Sequence, residues 1–370
     1  MRAFLYTYMA LYNLYGSKKK TIFVKKTMKS HILYILLILC TWSACTETTS
    51  QETSKDALNA SPNSTSSTSP SQVQRLSQRI EKDSTNAELY YTRSNFYLQE
   101  NNLENAASDV LKAMELEPEN GKYYQAASEI LLNINDSRSA ITMLQRGLSI
   151  KPQDVGIRLQ LAKVLLYVRQ YEQAENHLDF LLQLDKANPQ ALFYKALISK
   201  EQDDPQKTIA NLEKAVEADP DYYEAFIQLA LIYSDKKDPI TLQYLDNALR
   251  IDPQSIEALY AKGFFLQQNN KYNEAKAEYK KIMKINPQYE FALYNIGYLL
   301  LQQDSVDLAQ KHFNMAIGVS PAYANAYQMR GLTSEIKGDI EAAIRDYEQA
   351  LTFKKDHPKA LEGIKRLSKK

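Results

Sequence analysis

The chain of 370 residues carries 45 Lys and Arg, 44 Asp and Glu, 10 Gly and 12 Pro. So little Gly and Pro excludes collagen-like and low-complexity chains, and a hydrophobic share of 44% is enough for a sizeable core. The abundance of Ala, Leu, Gln, Glu and Lys predicts a mostly helical protein.

Charge is distributed unevenly along the chain. Residues 1–44 hold seven basic residues and no acidic one, which leaves 38 basic and 44 acidic residues, a net charge of −6, for the remainder. Nucleic-acid binding needs a basic surface, so we expect no nucleic-acid partner.

The N-terminal 44 residues have the layout of a targeting segment. A Lys-rich stretch precedes the apolar run 32–39, which is too short for the roughly 20 residues that span a bilayer. A basic flank, a short apolar core and small residues are typical of a secretory signal. We therefore predict a signal segment at residues 1–44, with Met28 as an alternative start.

A cysteine follows this segment. Ser43-Ala44-Cys45 resembles the lipobox of bacterial lipoproteins, in which the Cys becomes the lipidated first residue. Trp42 departs from the lipobox and also from an ordinary signal-peptidase site, so a plain cleaved signal and an uncleaved anchor stay open. The lipobox reading is preferred, because a chain starting at Cys45 leaves no second thiol and no disulfide. It implies a membrane-anchored lipoprotein in a bacterial cell envelope, facing the periplasm, on the outer membrane rather than the inner.

Residues 45–70 are predicted to form a disordered tether. Of the 25 residues 46–70, 13 are Ser or Thr, and such a segment cannot form a core. A flexible coil of this length reaches about 25–30 Å.

The remainder repeats with a period of 34 residues. Prolines recur at spacings of 34, 68, 33, 34 and 34 residues, at Pro118, Pro152, Pro220, Pro253, Pro287 and Pro321. Counting Lys186 and Lys355 at the equivalent places gives eight repeats over residues 87–355. A fixed period of this size predicts a solenoid.

Each repeat carries the same alternation of small and large residues. Small residues recur in the first half, at Ser94, Ser128, Ala162, Ala196, Ala230, Gly263, Gly297 and Gly331. Bulky residues recur in the second half, at Val110, Leu144, Leu178, Tyr279, Phe313 and Tyr347. Small residues let two helix backbones approach, and large ones fill the space beside them. Asp204-Pro205 and Asp238-Pro239 indicate an N-cap followed by Pro at the first helical position.

This ladder resembles the tetratricopeptide repeat (TPR) family, most clearly in residues 256–287, with Leu259, Gly263 and Tyr279. The resemblance implies an all-α fold, an α-solenoid of about eight helix pairs forming a right-handed superhelix. Amphipathic segments predict capping helices at 71–86 and 356–370. Departures at Leu181, Thr208 and Ile282, and a fifth repeat one residue short, predict less regular packing there.

The sequence predicts a binding protein rather than an enzyme. His177, His312 and His357 lack neighbours at metal-ligand spacing, no Gly-rich phosphate loop is present, and we expect no catalytic residue, metal or cofactor. In this family the concave groove is lined by the first helix of each repeat. The residues predicted to contact a partner there are Tyr91, Phe193, Ile227, Tyr260, Phe264, Phe291, Tyr294 and Tyr298.

The predicted function is therefore a non-enzymatic scaffold of the cell envelope that holds a protein or peptide in this groove. Aromatic side chains give large contact area at low entropic cost, which suits a binding surface. Two alternatives stay open: the rings bind cell-wall glycan, or they only pack between neighbouring helices.

Overall fold

The computed structural model describes residues 71–368, and within this range it contains eighteen α-helices and no strand. These residues belong to the second of two units, Ser69–Lys370. The predicted signal segment at 1–44 and the predicted tether at 45–70 lie outside the described residues.

Eight helix pairs follow one another between two single helices, α1 (Gln72–Lys82) and α18 (Pro358–Leu367). The first helices of the pairs are α2 (Ala87–Gln99), α4 (Gly121–Asn133), α6 (Val155–Tyr167), α8 (Pro189–Glu201), α10 (Tyr223–Asp235), α12 (Ile256–Gln268), α14 (Glu290–Gln302) and α16 (Ala324–Ile336). The second helices are α3 (Leu103–Leu116), α5 (Ser137–Ile150), α7 (Tyr171–Leu184), α9 (Pro205–Ala218), α11 (Ile240–Ile251), α13 (Tyr272–Ile285), α15 (Val306–Val319) and α17 (Ile340–Phe353). We call each pair a repeat and number them 1 to 8.

The helices stack as a solenoid, as predicted. Every helix packs against its neighbours in the chain, and most closely against the other helix of its own repeat. At several joints a first helix also contacts the next first helix, as α4 does with α6 and α14 with α16. Second helices have no comparable contacts within residues 71–368, so they lie farther apart. The side formed by the first helices, which we call the first-helix face, is therefore the concave one.

The turn inside each repeat has one conformation. One residue of this turn has a positive φ in each of the eight repeats: Asn101, Asn135, Arg169, Asp203, Lys237, Asn270, Asp304 and Gly338. The next residue donates its N–H to a carbonyl of the preceding helix, as Gln170 does to Leu165 at 2.8 Å. This bond satisfies a carbonyl left open at the helix end, and it fixes the angle at which the second helix leaves.

Side chains cap most helix starts. Asp204 accepts from the N–H of Lys207 at 3.0 Å, and Pro205 occupies the first turn of α9, as predicted. The equivalent prediction at Asp238 was wrong by one residue, because α11 begins at Ile240, after Pro239. There Asp238 accepts from the N–H of Ile240 at 3.0 Å.

The predicted irregular packing is limited to helix α11 of repeat 5. Helix α11 has 12 residues, whereas the neighbouring second helices α9 and α13 have 14. Leu181, Thr208 and Ile282 are all buried, and Thr208 satisfies its hydroxyl on the carbonyl of Asp204 at 2.8 Å. The larger or polar residue is thus accommodated without a packing defect.

The interior of each repeat rests on one pair of residues, one from each helix. In repeats 1 to 5 a Ser or Ala of the first helix accompanies an aliphatic residue of the second, and both are buried. In repeats 6 to 8 a Gly accompanies an aromatic ring: Gly263 with Tyr279, Gly297 with Phe313, and Gly331 with Tyr347. A Cβ at Gly297 would stand 2.8 Å from Cε1 of Phe313, so the ring occupies the space of the missing side chain. The smallest residue on the first helix, Gly, therefore accompanies the largest residue on the second helix, an aromatic one.

Ion pairs close the first and last repeats. Arg93 donates two bonds of 2.7 Å to Asp109, and Arg330 donates bonds of 2.8 and 2.6 Å to Asp346. Helix α18 is joined to repeat 8 through Glu335, which accepts two bonds of 2.7 Å from Arg366 and one of 2.8 Å from Tyr347. Paired, fork-shaped contacts of this kind hold both orientation and charge at the ends of the array.

We expect Gly297→Ala to destabilise the protein, because overpacking costs about 1–3 kcal/mol and outweighs the gain in helix propensity of about 1 kcal/mol. Phe313→Leu restores the Ala–Leu pairing of repeats 3 and 4, so the double variant is more stable than the sum of the single changes. Urea denaturation of the full chain measures the free energies of unfolding.

Gly318→Ala is the matched control. This helical glycine has no atom within 4 Å of an added Cβ, so the substitution should raise stability. If Gly297→Ala stabilises the protein as much as Gly318→Ala does, the proposed space restriction is wrong.

Candidate functional site

Aromatic side chains concentrate on the first-helix face of repeats 6 to 8. Phe264 lies on α12, Phe291, Tyr294 and Tyr298 lie on α14, and Tyr323 directly precedes α16. All five are half-buried, so each ring is held by the protein and still presents part of its surface. Together with Tyr260 and Tyr289 we call them the aromatic strip.

The rings of the strip contact one another across three repeats. Tyr260 stacks on Phe264 with centroids 6.3 Å apart and an interplanar angle of 7°. Tyr260 also meets Phe291 edge-on at 6.3 Å, and Phe291 meets Tyr323 edge-on at 5.7 Å. The ring centroids of Tyr294 and Tyr323 are 5.2 Å apart. Such offset and edge-to-face contacts are the favoured arrangements of aromatic pairs.

The strip is seated on the aromatic core of the same repeats. Tyr260 lies 5.8 Å from Tyr279, and Tyr294 lies 5.8 Å from Phe313. The amide of Asn295 donates to the Tyr260 hydroxyl at 3.2 Å. These contacts fix the orientation of the rings before any ligand arrives, which lowers the entropic cost of binding.

The tyrosine hydroxyls of the strip lie close enough to affect one another. Burial raises the pKa of Tyr294 above its usual value, and the neighbouring Tyr260 and Tyr298 raise it further. The Tyr294 phenol therefore stays neutral at physiological pH, where it can donate and accept a hydrogen bond. The strip offers apolar area together with neutral polar tips.

Three of the residues predicted to line the groove belong to the packing between helices. Phe193, Ile227 and Tyr260 are only 2, 2 and 4% exposed. Phe193, for example, packs edge-on against Tyr222 at 5.1 Å. These three side chains are buried against neighbouring helices, whereas Tyr294, at the same position of α14, is half-buried.

The other predicted residues separate into two places. The structure brings Phe264, Phe291, Tyr294 and Tyr298 together on α12 and α14. Tyr91 lies apart in repeat 1, half-buried, with its ring 5.5 Å from that of Tyr123 and 5.9 Å from Nζ of Lys122. Whether any of these residues contacts a partner stays a prediction.

Sequence reasoning missed Tyr289 and Tyr323. Each stands immediately before a first helix, at its N-cap position, and Tyr222 holds the same position in front of α10. A Tyr at this place in three repeats was the signal available, since Ser, Asn and Asp are the usual caps. Folding turns these rings onto the first-helix face beside Phe291.

The histidines of the described range have structural partners. His357 begins α18: its Nδ1 accepts from the N–H of Ala360 at 3.3 Å, and its Nε2 lies 2.9 Å from Oδ1 of Asn325. Burial and the nearby Lys354 lower the pKa of His357, which favours the neutral ring that this cap requires. His177 contacts Arg158 at 3.2 Å.

Residues 71–368 contain no cluster of three or more His, Cys, Asp or Glu side chains able to hold a metal ion. Among the helices of the same range, none combines the length and apolarity needed to cross a bilayer. Cys45, the predicted lipid attachment site, lies outside the described residues.

Comparison with known families identifies the repeats. Tetratricopeptide repeat models match residues 87–120, 159–223, 244–277 and 324–357. None of the curated proteins matches the sequence significantly.

Several solved structures are similar to parts of this chain. The C-terminal part of a TPR protein from Cytophaga hutchinsonii is 18% identical over 66% of this chain and 99% of its own, with a TM-score of 0.54. A TPR protein from Parabacteroides merdae is 16% identical over 67% of this chain and 98% of its own, with a TM-score of 0.45. PilF from Pseudomonas aeruginosa is 18% identical over 56% of this chain and 94% of its own, with a TM-score of 0.46.

We expect Tyr260→Ala and Phe264→Ala to differ strongly in stability. Removing the buried Tyr260 ring leaves a cavity beneath the strip and costs about 3–5 kcal/mol, as for other buried aromatic residues. The half-buried Phe264 ring leaves little cavity, so its removal should cost less than half as much. Comparison of the two unfolding curves in urea tests this, and equal losses would contradict the division between buried support and exposed contact.

Proposed function

The chain belongs to the tetratricopeptide repeat family, and from this premise we propose that it is an exported, lipid-anchored scaffold without enzymatic activity. TPR arrays act in protein–protein interaction, and the repeats span almost the whole described range. The partner is a protein or peptide held on the first-helix face of repeats 6 to 8. An envelope role, in assembly or as an adaptor, follows from the predicted signal and lipobox.

The observation that carries the proposed binding function is the aromatic strip. Its rings cross three repeats and are fixed by core contacts, and all of them except the buried Tyr260 and Tyr289 keep part of their surface open to solvent. Large, rigid aromatic side chains lose little entropy on binding and supply most of the energy in many interfaces. Contiguous apolar surface of this kind marks an interaction site.

Export and anchoring rest on the sequence of residues 1–45. The basic flank, the apolar run 32–39 and Ser43-Ala44-Cys45 support a lipidated Cys45. Each buried methylene of an acyl chain contributes about 0.8 kcal/mol, so several chains hold a protein on a membrane. A localisation in the bacterial envelope, with the repeats facing the periplasm, is the arrangement we propose.

Crosslinking in the native cell, followed by mass spectrometry, tests the proposed binding site. We expect Phe264→Ala with Tyr298→Ala to reduce recovery of the partner about tenfold or more, since each hot-spot residue is worth more than about 1 kcal/mol. Leu111→Ala with Leu308→Ala is the control, because these leucines are 59 and 53% exposed on second helices.

Unchanged recovery with a folded Phe264/Tyr298 variant would refute the binding site. Titration with cell-wall fragments separates the alternative function. Fragment binding that disappears in the same variant, with no protein partner recovered, would favour glycan recognition.

The two cysteines provide a matched test of the anchor. We expect Cys45→Ser to abolish incorporation of labelled fatty acid and to move the protein from the membrane fraction to the soluble fraction. Cys40→Ser should change neither. If the Cys45 variant stays in the membrane fraction, the chain is held by an uncleaved segment and the lipoprotein proposal is wrong.

A further inference from the structure

Three tyrosine hydroxyls of the aromatic strip have no hydrogen-bond partner in the described part of the protein. They belong to Tyr294 and Tyr298 on α14 and to Tyr323 before α16, and none of them bonds to a residue within 71–368. The three side chains are half-buried, and their hydroxyl oxygens are not sealed from water. Three groups that can each donate a hydrogen bond therefore end on the first-helix face.

Tyrosines that serve the core of the same repeats do find partners. The hydroxyl of Tyr279 donates to Gln267 at 3.1 Å. The hydroxyl of Tyr347 donates to Glu335 at 2.8 Å. Polar groups that lose water are normally hydrogen-bonded, so a ligand that covers the strip has to bring acceptors for the three open hydroxyls.

This requirement argues against an amphipathic helix as the ligand. The carbonyls of a helix are bonded within the helix, so its apolar face offers no acceptor to the tyrosines. Covering the hydroxyls with such a face would remove their water and replace it with nothing, which is unfavourable. An extended segment, whose carbonyls are open, can accept from them.

A proline-rich segment meets the requirement with the fewest unpaired groups. Every other residue of an extended chain carries an N–H that also needs a partner, and the rings of the strip offer few acceptors. Proline has no N–H, and the carbonyls of a polyproline II helix are free because this helix has no internal hydrogen bonds. We propose that the occupant of the first-helix face, in the binding function proposed above, is a proline-rich segment in the polyproline II conformation.

The arrangement of the rings suits such a segment. Phe291 stands edge-on to Tyr260 and to Tyr323, with interplanar angles of 70° and 74°. Faces and edges thus alternate along the strip, which leaves gaps between rings rather than one flat platform. Compact proline rings can fill such gaps at little entropic cost, because their backbone torsion is already fixed.

The same features fit a glycan less well. A sugar ring stacks best on a flat, open aromatic face, whereas these rings stand edge-on to one another. Each sugar also carries several hydroxyls that would lose water, and three tyrosine hydroxyls cannot satisfy them all. The strip is therefore better matched to a segment that presents carbonyls alone.

The spacing of the repeats agrees with this conformation. Polyproline II has about three residues per turn and rises about 3.1 Å per residue, so one turn advances about 9 Å. Packed helices lie about 8–10 Å apart, and α14 contacts α16 directly. A proline at every third residue therefore meets successive repeats, and about seven residues span the three first helices of the strip.

Nine-residue peptides, added to the purified full-length protein, test this chemistry. One peptide has Pro at every third position with Ala and Leu between, and a matched peptide has Ala in place of each Pro. We expect the Pro peptide to bind about tenfold more tightly than the Ala peptide in fluorescence anisotropy, because its bound conformation is already formed. The strip consists only of Tyr and Phe, so this affinity should change little as salt is raised.

Variants that lack only the hydroxyls identify their role. The triple variant Tyr294→Phe, Tyr298→Phe and Tyr323→Phe keeps every ring, so it should remain folded, as its unfolding in urea will show. We expect it to bind the Pro peptide about tenfold more weakly, because three carbonyls of the peptide lose their donors. Tyr167→Phe with Tyr171→Phe, in repeat 3, is the matched control and should bind as the natural protein does.

The outcomes separate this inference from the proposed function. If peptides bind through Phe264 and Tyr298 but the Ala peptide binds as tightly as the Pro peptide, the inference is wrong and the binding face stands. The inference is also wrong if the folded triple variant keeps full affinity for the Pro peptide. If cell-wall fragments bind through Phe264 and Tyr298 and no peptide does, both this inference and the protein-binding function are wrong.

Discussion

The close approach of two helices, made possible by a residue without a side chain, is the constraint on which repeats 6 to 8 depend. At Gly263, Gly297 and Gly331 the ring of the second helix fills the space that a Cβ would take. The same contact is made with Ser or Ala and an aliphatic residue in repeats 1 to 5. Interiors are packed as densely as organic crystals, so a large ring requires a matching space on the facing helix.

The aromatic core residues of repeats 6 to 8 also support the aromatic rings at the surface. The core rings Tyr279 and Phe313 support Tyr260 and Tyr294, each at 5.8 Å, and those in turn contact Phe264 and Tyr323. An aliphatic core would not offer such flat ring partners. Helix α18 closes the series, since Arg366 and Tyr347 both bond to Glu335. The aromatic end of the solenoid is thus rigid from core to face, as an interaction surface requires.

Much of the fold was predictable because the same pattern of residues recurs in eight repeats. The small and bulky ladders, such as Gly297 with Phe313, are visible in sequence as fixed spacings, and they predicted the solenoid. The cap at Asp204 was predicted correctly, and the one at Asp238 was missed by one residue, because the helix there begins after Pro239.

The site was less predictable, because exposure depends on the angle between helices. Tyr260 and Phe264 are four residues apart on one helix face, yet one is buried and the other half-buried. That difference arises from Tyr279 on the other helix of the same repeat and from Asn295 of the next repeat, which reach Tyr260 only after the helices pack together. Tyr289 and Tyr323 were missed for the same reason, since both lie in turns that the repeat pattern does not assign to the face.

The central claim is that the first-helix face of repeats 6 to 8 holds a partner. The most direct measurement places a photo-crosslinking phenylalanine at Tyr298, on the first-helix face, and separately at Leu308, on a second helix, in the native cell. We expect a crosslinked partner at Tyr298 and none at Leu308. A partner attached at Leu308 alone, or none at Tyr298 in a folded and expressed protein, would contradict the account.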